Sequence, residues 1–386
     1  MTRLIDCLPA DWRFATLVGR IALHDGPTPV MIRDGHLYDM SGVAPTSADL
    51  LAHLGGLDSP SRRVVGAVDT FTVKTVWERE KPGAIEILAP VDLQAVKAAG
   101  VTFATSTIER VIEERAGGDL GRATDIRETL QERIGGDLAS VKPGSESAAR
   151  LKAALIKDRL WSQYLEVAIG PDAEVFTKCP VLAAVGYGAH VGVRSDSRWN
   201  NPEPEVVMVC DPAGKAVGAT LGNDVNLRDF EGRSALLLGK AKDNNASCAL
   251  GPFIRIFDAG FTLDDVRSAT VSLRVEGEDG FVLTGESSMS LISRDPLDLI
   301  SQAFGQHHQY PDGMALMLGT MFAPIEDRDA PGRGFTHKTG DIVRLASERL
   351  GVLENKVTSC EKAPPWTFGV SALMRNLAAR GLLEEA

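Results

Sequence analysis

Asn201-Pro-Glu-Pro-Glu-Val-Val-Met-Val-Cys-Asp-Pro-Ala-Gly-Lys-Ala-Val-Gly-Ala-Thr-Leu221 is the stretch of sequence that decides the fold. Residues 206–210 form an apolar run of the length of a strand. Asp211-Pro-Ala-Gly214 follows this run, and its proline is pre-set for the second position of a β-turn. Residues 216–221 favour a second strand. The stretch therefore predicts two adjacent strands joined by a tight turn.

Further strands are predicted towards the carboxyl end of the chain. Residues 271–275 and 281–284 flank Asp279-Gly280, which is a second hairpin signal. Residues 315–318 and 341–345 add more strand. Strands that cluster in this way predict an α+β fold, built on a compact β-rich mixed or antiparallel roll and not on a doubly wound sheet.

The beginning of the chain predicts a small α/β unit. Residues 28–40 indicate a hairpin around Asp34-Gly35, because this pair can take the positive φ angles of a tight turn. Thr46 is expected to cap a short helix over residues 50–54, and Gly55-Gly56 is expected to end it.

The length of 386 residues predicts more than one domain. Lys81-Pro-Gly83 is the expected boundary, since proline and glycine interrupt regular structure there. We therefore expect a small N-terminal α/β domain over residues 1–85 and a catalytic domain over residues 86–386.

Helices are predicted between residues 107 and 167. Apolar side chains recur at i, i+3 and i+4 in residues 112–115, 126–134 and 148–156. Two interpretations of this region stay open. It is either a helical layer packed on a sheet or a lid over the active site.

Composition excludes several classes of partner. A formal net charge of −11 argues against sequence-independent binding of nucleic acid, which needs a basic surface. No run of 18 apolar residues is present, so no transmembrane helix is expected, and the first residues predict no secretory leader. The five cysteines are scattered and odd in number, which suits free thiols in the cytoplasm.

Two carboxylates, Glu203 and Glu205, stand at the start of the strand that opens the first stretch. Side chains alternate between the two faces of a strand, so both carboxylates point the same way and repel unless a cation or solvent lies between them. Asp224 follows after one hairpin and can return to the same neighbourhood. Three oxygen ligands without Cys or His favour Mg²⁺ or Mn²⁺, with positions left for a 2-oxo acid. A solvated acidic edge is the alternative.

These carboxylates belong to a longer series of motifs. The series is Glu203-Pro-Glu205, Asn223-Asp224-Val-Asn-Leu-Arg228-Asp229, Lys240-Ala-Lys242 with Gly251-Pro252, Leu318-Gly319-Thr320 and Lys338-Thr-Gly340-Asp341. The order resembles that of the fumarylacetoacetate hydrolase superfamily, and the resemblance runs from about residue 95 to about residue 360. It implies a β-rich roll that holds a metal ion at its mouth and assembles into a homo-oligomer, a dimer or a tetramer.

The resemblance also implies roles for individual residues. It implies metal ligands at Glu203, Glu205 and Asp224, an active-site lysine at Lys242, and a substrate-facing pair at Gly319-Thr320. Lys178 resembles a further family lysine, for which a pocket charge and a structural ion pair are equally open. For Arg228-Asp229 an orienting ion pair is favoured over a catalytic one.

The chain departs from the hydrolytic members at Gly100-Val-Thr-Phe-Ala-Thr-Ser-Thr-Ile-Glu109. The usual segment resembles Gly-Arg-Asn-Tyr-Ala-Asp-His-x-x-Glu, whose histidine and glutamate activate water to cleave a carbon–carbon bond. Here the glutamate remains as Glu109, but Ser106 replaces the histidine, and serine is no base near neutral pH. Glu231 replaces a glutamine that usually follows Arg-Asp.

The altered segments resemble the sugar-acid dehydratases of the superfamily. They are Arg110-Val-Ile-Glu-Glu114, Glu231-Gly-Arg233, Ser287-Ser288-Met289 and Ile292-Ser-Arg294-Asp295. The resemblance implies metal-dependent dehydration of a small-molecule 2-keto-3-deoxy sugar acid. Glu109 and Lys242 are then the candidate acid and base, in an order left open, with Ser106 beside them. The candidate substrate-binding residues are Arg228, Lys178, Gly319, Thr320 and Ser288.

Several alternatives remain at this stage, among them a related decarboxylase or isomerase and a non-catalytic carbohydrate-binding module. A hydrolase that cleaves the carbon–carbon bond of acylpyruvate-like diketo acids would share every metal ligand. The segment from Gly100 to Glu114 would, in a further alternative, be only a strand-to-helix turn, with Ser106 as the helix cap and Glu109 completing a capping box.

Overall fold

The computed structural model describes residues 2–23, 25–79, 81–123, 126, 138, 141–330 and 334–383. Two β-sheets carry most of the strands, and helices cover part of their surface. Both sheets contain antiparallel and parallel pairs, so the expected α+β fold with a mixed β-rich core is confirmed.

The larger sheet has eleven strands among the described residues. They are β1 (Leu17–Leu23), β2 (Gly26–Arg33), β3 (His36–Asp39), β4 (Arg63–Ala67), β5 (Glu86–Leu88), β6 (Ala95–Gly100), β7 (Glu174–Cys179), β10 (Pro204–Cys210), β11 (Ala216–Asp224), β13 (Cys248–Ile256) and β16 (Met314–Met317). Their order is β4-β3-β2-β1-β13-β11-β10-β16-β6-β7, and β5 pairs with β1. The hairpin predicted from the opening stretch, β10 and β11, lies in the interior of this sheet and is buried along almost its whole length.

The second sheet has five strands, and a short two-stranded pair lies apart from it. The second sheet contains β8 (His190–Val193), β14 (Thr270–Glu276), β15 (Val282–Ser288), β17 (Ile342–Ser347) and β18 (Gly351–Ser359), and the pair is β9 (Asn200–Asn201) with β12 (Asn226–Leu227). Strands β14 and β15 form the hairpin expected around Asp279-Gly280. Apolar side chains from both sheets, such as Leu221 and Leu345, belong to one buried cluster, so the sheets share a core.

The N-terminal strands continue the larger sheet. Asp34 and Gly35 have φ angles of 50° and 76°, which is the tight turn expected between β2 and β3. Helix α1 (Ser47–Ala52) begins earlier than expected, although Thr46 caps it by accepting a bond from the Asp49 amide. Because β1 pairs with β13, the sheet runs across the expected boundary near residue 85. The division into two domains stays a prediction.

Eight further α-helices lie entirely within the described residues. They are α2 (Ala104–Ala116), α3 (Glu146–Lys157), α4 (Gln163–Ile169), α5 (Arg228–Glu231), α6 (Leu238–Lys242), α7 (Leu263–Arg267), α8 (Pro296–Ala303) and α9 (Val370–Ala379). Two of the three expected amphipathic helices are therefore present as α2 and α3, whereas the third, over residues 126–134, lies largely outside the described residues. Helices α2, α3 and α4 share an apolar cluster with Trp199, as a packed helical layer requires.

Within the described ranges, no helix combines the length and the apolar character needed to cross a bilayer. All five cysteines are free thiols, as their spacing predicts.

Candidate metal centre and active site

The hairpin of β10 and β11 brings three carboxylates together. One oxygen from each of Glu203, Glu205 and Asp224 lies within 4.8 Å of the others, and all three side chains are buried. Glu203 comes directly before β10, and its carbonyl accepts a 3.0 Å bond from the amide of Asp224. The Glu203 amide in turn donates to Asn223 Oδ1 at 3.0 Å. Backbone pairing at the open end of the hairpin therefore sets this arrangement.

Glu205 shows why the cluster suits a cation. Its carboxylate accepts hydrogen bonds from the Gly319 amide at 2.7 Å and from Thr320 Oγ1 at 3.3 Å, and both donors are neutral. Burial, together with repulsion from Asp224 and Glu203, raises the pKa of Glu205 well above its usual range. A divalent cation would place positive charge beside this carboxylate, whose hydrogen-bond donors are neutral, and three hard oxygen donors fit such an ion.

Gly319 is needed for this contact. Its φ of 106° lies in the region that favours glycine, and a side chain there would collide with Thr102. The backbone at Gly319 is thus free to turn its amide towards Glu205, while the neighbouring Thr320 also lines the cavity beside the cluster.

Two buried lysines face the same carboxylates. Lys242 Nζ donates to Glu203 and, at 2.9 Å, to Asp224 Oδ2, and it borders the cavity. Although burial alone would lower the pKa of Lys242, Asp224 and Glu203 raise it, so the side chain is held as an ammonium. Burial would likewise raise the pKa of Asp224, but Lys178 and Lys242 hold it below its usual value. In this arrangement Lys242 donates hydrogen bonds to two of the three clustered carboxylates.

Lys178 occupies a different position. Its ammonium lies 2.7 Å from Asp224 Oδ1 and donates to the carbonyls of Lys242, at 2.5 Å, and Val225, at 3.3 Å. The side chain is fully buried, and these three partners use its three donors. Of the two alternatives left open by the sequence, the geometry favours the structural ion pair over a substrate-binding charge.

Arg228 does not pair with Asp229, so the expected ion pair between these neighbours is wrong. Asp229 instead accepts bonds from the Ser197 hydroxyl and the Arg198 amide, both at 2.8 Å. Consecutive residues of a helical turn point in different directions, which separates the two side chains. Arg228 Nη2 donates to Glu109 at 2.5 Å.

The capping-box interpretation of the Gly100–Glu114 segment is also wrong. Phe103 is the extended N-cap residue of α2, with φ −122° and ψ 141°, so the helix begins before Ser106. Ser106 Oγ donates to the Phe103 carbonyl at 2.9 Å from within the first turn. Glu109 lies one turn further on and pairs with Arg228 instead of a helix-terminal amide. Both Ser106 and Glu109 line the cavity next to the carboxylate cluster.

Three cavity carboxylates, Glu113, Glu174 and Glu231, were not assigned roles from the sequence. Glu174 opens β7 opposite Gly100, and among the described residues its carboxylate has no hydrogen-bond or ion-pair partner. Burial raises its pKa. Glu231, noted in the sequence only as a replacement, lies 2.9 Å from Arg110 Nη1, and burial raises its pKa to about 7.

Ser288 and Arg228, which the sequence suggests as substrate-binding residues, do not line the cavity. Ser288 lies at the end of β15, where it accepts a bond from the Ser290 amide, and it does not line the cavity. Arg228 is also absent from the cavity wall, because Trp199 stacks on its guanidinium at 4.6 Å and Glu109 and Glu113 cover its donors. This geometry therefore gives no support for a contact between either residue and a substrate in the cavity.

Comparison with known proteins gives a family match and several relatives. The family profile described as fumarylacetoacetate (FAA) hydrolase C-terminal matches residues 149–358. A probable 2-keto-3-deoxyxylonate dehydratase from Haloferax volcanii is 31% identical over 196 residues, which are 51% of this chain and 64% of the relative. A 2-dehydro-3-deoxy-D-arabinonate dehydratase from Saccharolobus solfataricus is 30% identical over 220 residues, 56% of this chain and 67% of the relative. The chain thus spans about two thirds of the length of these curated relatives.

Solved structures support the same fold. The apo form of a 2-keto-3-deoxy-D-arabinonate dehydratase superposes with a TM-score of 0.59 at 20% identity, covering 89% of this chain and 99% of that one. A 2-keto-3-deoxy-D-arabinonate dehydratase complexed with magnesium and 2,5-dioxopentanoate gives a TM-score of 0.58 at 21% identity, with the same coverage. The fold expected from the family resemblance is therefore confirmed.

Proposed function

This chain belongs to the fumarylacetoacetate hydrolase family, and we propose that it dehydrates a 2-keto-3-deoxy-D-pentonate with the help of a divalent metal ion. The product would be 2-oxoglutarate semialdehyde, which is the 2,5-dioxopentanoate bound in the solved structure mentioned above. Relatives named as dehydratases of 2-keto-3-deoxy acids support the reaction class. In these acids C4 is the one remaining stereocentre, so xylonate-derived and arabinonate-derived names describe the same D compound.

One observation carries the proposal: of the further carboxylates that line the cavity beside the cluster, Glu109 and Glu174 lie in opposite environments. Arg228 donates to Glu109, and this bond keeps Glu109 in the role of an acceptor. Glu174 lacks such a partner among the described residues, and burial raises its pKa, which favours the protonated form. Carboxyl groups whose environments differ in this way are suited to act as base and acid.

Glu203, Glu205 and Asp224 are the proposed ligands of the ion, Mg²⁺ or Mn²⁺. When bound, such an ion would hold the C1 and C2 oxygens of a 2-oxo acid and acidify C3. Glu109 then removes a proton from C3, and the electron pair of that C–H bond forms the C3–C4 double bond. The C4–O bond breaks, and the hydroxyl leaves as water with a proton from Glu174. Transfer of a proton from C5 to C3 then gives an enol with a C4–C5 double bond, and transfer of the C5 hydroxyl proton to C4 completes the semialdehyde.

Other cavity residues bind and orient the substrate in this proposal. Lys242 is an ammonium and donates to substrate oxygens, and Thr320 borders the same space. No histidine lies among the described residues that line the cavity, so none is placed there to activate water. Elimination therefore fits these side chains better than hydrolytic cleavage. We also propose that the protein is a cytoplasmic homo-oligomer, either a dimer or a tetramer, and that it serves pentose degradation.

The reaction is tested by product mass. Purified protein with Mg²⁺ is incubated with D- and L-2-keto-3-deoxy-pentonate and with an acylpyruvate, and products are identified by mass spectrometry. We expect the D compound to lose one water and the acylpyruvate to stay intact. Addition of water with cleavage of the acylpyruvate would instead identify a hydrolase.

Metal removal is the control in the same assay. Chelation should abolish turnover, and Mg²⁺ or Mn²⁺ should restore it, because substrate is proposed to bind through the ion. Full turnover after verified removal of the metal would exclude the proposed mechanism.

Replacement of Ser106 by alanine should have a small effect. Its hydroxyl proton already bonds the Phe103 carbonyl, so Ser106 can only accept a bond from a substrate hydroxyl. Loss of one such bond should raise the activation free energy by about 0.5–1.5 kcal/mol and so lower kcat/KM roughly two- to tenfold. Thr107→Val is the matched control, since Thr107 also donates to Phe103 but does not line the cavity. Equal losses in both variants would assign Ser106 to helix stability.

A further inference from the structure

Glu113 on α2 connects two buried arginines. Its Oε2 accepts a 2.7 Å bond from Arg110 Nη1, and its Oε1 accepts a 2.6 Å bond from Arg228 Nε. All three side chains are buried. Arg110, Glu113 and Arg228 are called the arginine clamp below. Although Glu113 borders the cavity, both of its oxygens are already occupied by guanidinium groups.

Each end of the arginine clamp holds a different part of the site. Arg110 Nη2 donates to Glu203 Oε1 at 2.7 Å, so one arginine fixes a proposed metal ligand. Arg228 Nη2 donates to Glu109 Oε2 at 2.5 Å, so the other arginine fixes the proposed base. The bonds thus run without a break from Glu203 through the clamp to Glu109.

We propose that Glu113 is a positioning residue that links the geometry of the metal centre to that of the catalytic carboxylate. The role assigned to Glu109 rests on the proposed function, whereas the link from Glu113 to Glu203 does not. The carboxylate of Glu113 lies between two guanidinium groups, and it neutralises part of their mutual repulsion. Arg110 can therefore stay against Glu203 while Arg228 stays against Glu109.

Glutamine at position 113 would break this link with little change in volume. An amide has one oxygen acceptor, and its NH2 group can only donate, so it would face one of the two arginines without a bond. The loss of negative charge also leaves both cations less well compensated in a buried site. Arg110 should then hold Glu203 less firmly.

The test is metal binding in the absence of substrate. Mn²⁺ is titrated by calorimetry into the metal-free wild type, Glu113→Gln and Glu114→Gln. We expect Glu113→Gln to bind Mn²⁺ about 10- to 100-fold more weakly, which is the usual effect of removing a group that orients a metal ligand. Glu114→Gln is the matched control, because Glu114 is the next residue of the same helix but bonds Ser162 and Gln163 outside the site. It should bind Mn²⁺ as the wild type does.

A double-mutant cycle with Arg110→Met separates positioning from general damage. If Glu113 acts through Arg110, adding Glu113→Gln to Arg110→Met should weaken Mn²⁺ binding little further. Additive losses, or wild-type affinity in a folded Glu113→Gln protein, would overturn the proposal. Should Glu113→Gln not fold, Glu113→Asp keeps the charge but is one methylene too short to reach both arginines, and the same weakening is expected. These titrations remain decisive even if the dehydratase assay fails.

Discussion

Replacement of Glu203 by glutamine is expected to lower kcat/KM roughly a thousandfold and to weaken metal binding. This loss corresponds to an activation free energy higher by about 4 kcal/mol. Glu203 is one of the three clustered carboxylates, and it also accepts bonds from Arg110, at 2.7 Å, and from Lys242. Glutamine keeps the size of the side chain but removes its charge. The metal would lose an anionic ligand, and the two cations would lose part of their compensation.

This variant needs a stability measurement beside the activity assay. Removal of one partner of a buried ion pair costs about 3–5 kcal/mol, so the melting temperature of Glu203→Gln should fall, and a retained fold is checked by circular dichroism. Glu286→Gln, on the exposed face of β15, is the matched control and should change neither property. Unchanged Mn²⁺ affinity and turnover in Glu203→Gln would remove this residue from the metal centre.

The sequence alone predicts the central hairpin and its carboxylates because both depend on local rules. A turn that needs Pro and Gly fixes how β10 and β11 pair, and the alternation of side chains places Glu203 and Glu205 on one side. The return of Asp224 to the same end follows from the antiparallel register, in which Pro204 pairs with Asn223. No long-range information is needed for this part of the site.

The rest of the site depends on contacts between distant segments. Glu113 and Arg228 are 115 positions apart in the chain, and no spacing rule relates them. Glu174 reaches the cavity only because β7 pairs with β6 at Gly100. Its one local signal is a charged residue at the start of an apolar strand segment, which is common at solvent-facing positions as well.

The start of α2 shows why a local rule can also fail. Ser106 and Glu109 have the spacing of a capping box, but the chain stays extended only as far as Phe103. A bridge between Phe103 and Ile292 holds this residue against a distant segment, and the helix starts immediately after it. Tertiary pairing, which the sequence pattern does not reveal, therefore sets the helix boundary and turns Ser106 towards the cavity.

Replacement of Glu109 by glutamine is expected to lower kcat by about 10²–10⁴-fold, the contribution of a general base. The amide is no base, although its oxygen can still accept the bond from Arg228. The base role can be isolated with pyruvate, which has C3 protons but no leaving hydroxyl. The wild type with Mg²⁺ should exchange these protons with D2O, as followed by NMR, and Glu109→Gln should not.

Glu174→Gln is the matched variant that separates the two carboxylates. This variant should no longer dehydrate the pentonate but should still exchange the C3 protons of pyruvate. The reason is that Glu174 is proposed to act only when the C4 hydroxyl leaves. If Glu174→Gln abolishes exchange and Glu109→Gln preserves it, the two roles are reversed. If Glu109→Gln lowers the melting temperature but leaves both reactions unchanged per folded molecule, Glu109 has only a structural role with Arg228. Because each variant changes one of two measurable steps, the pair of assays assigns the base without reference to any relative.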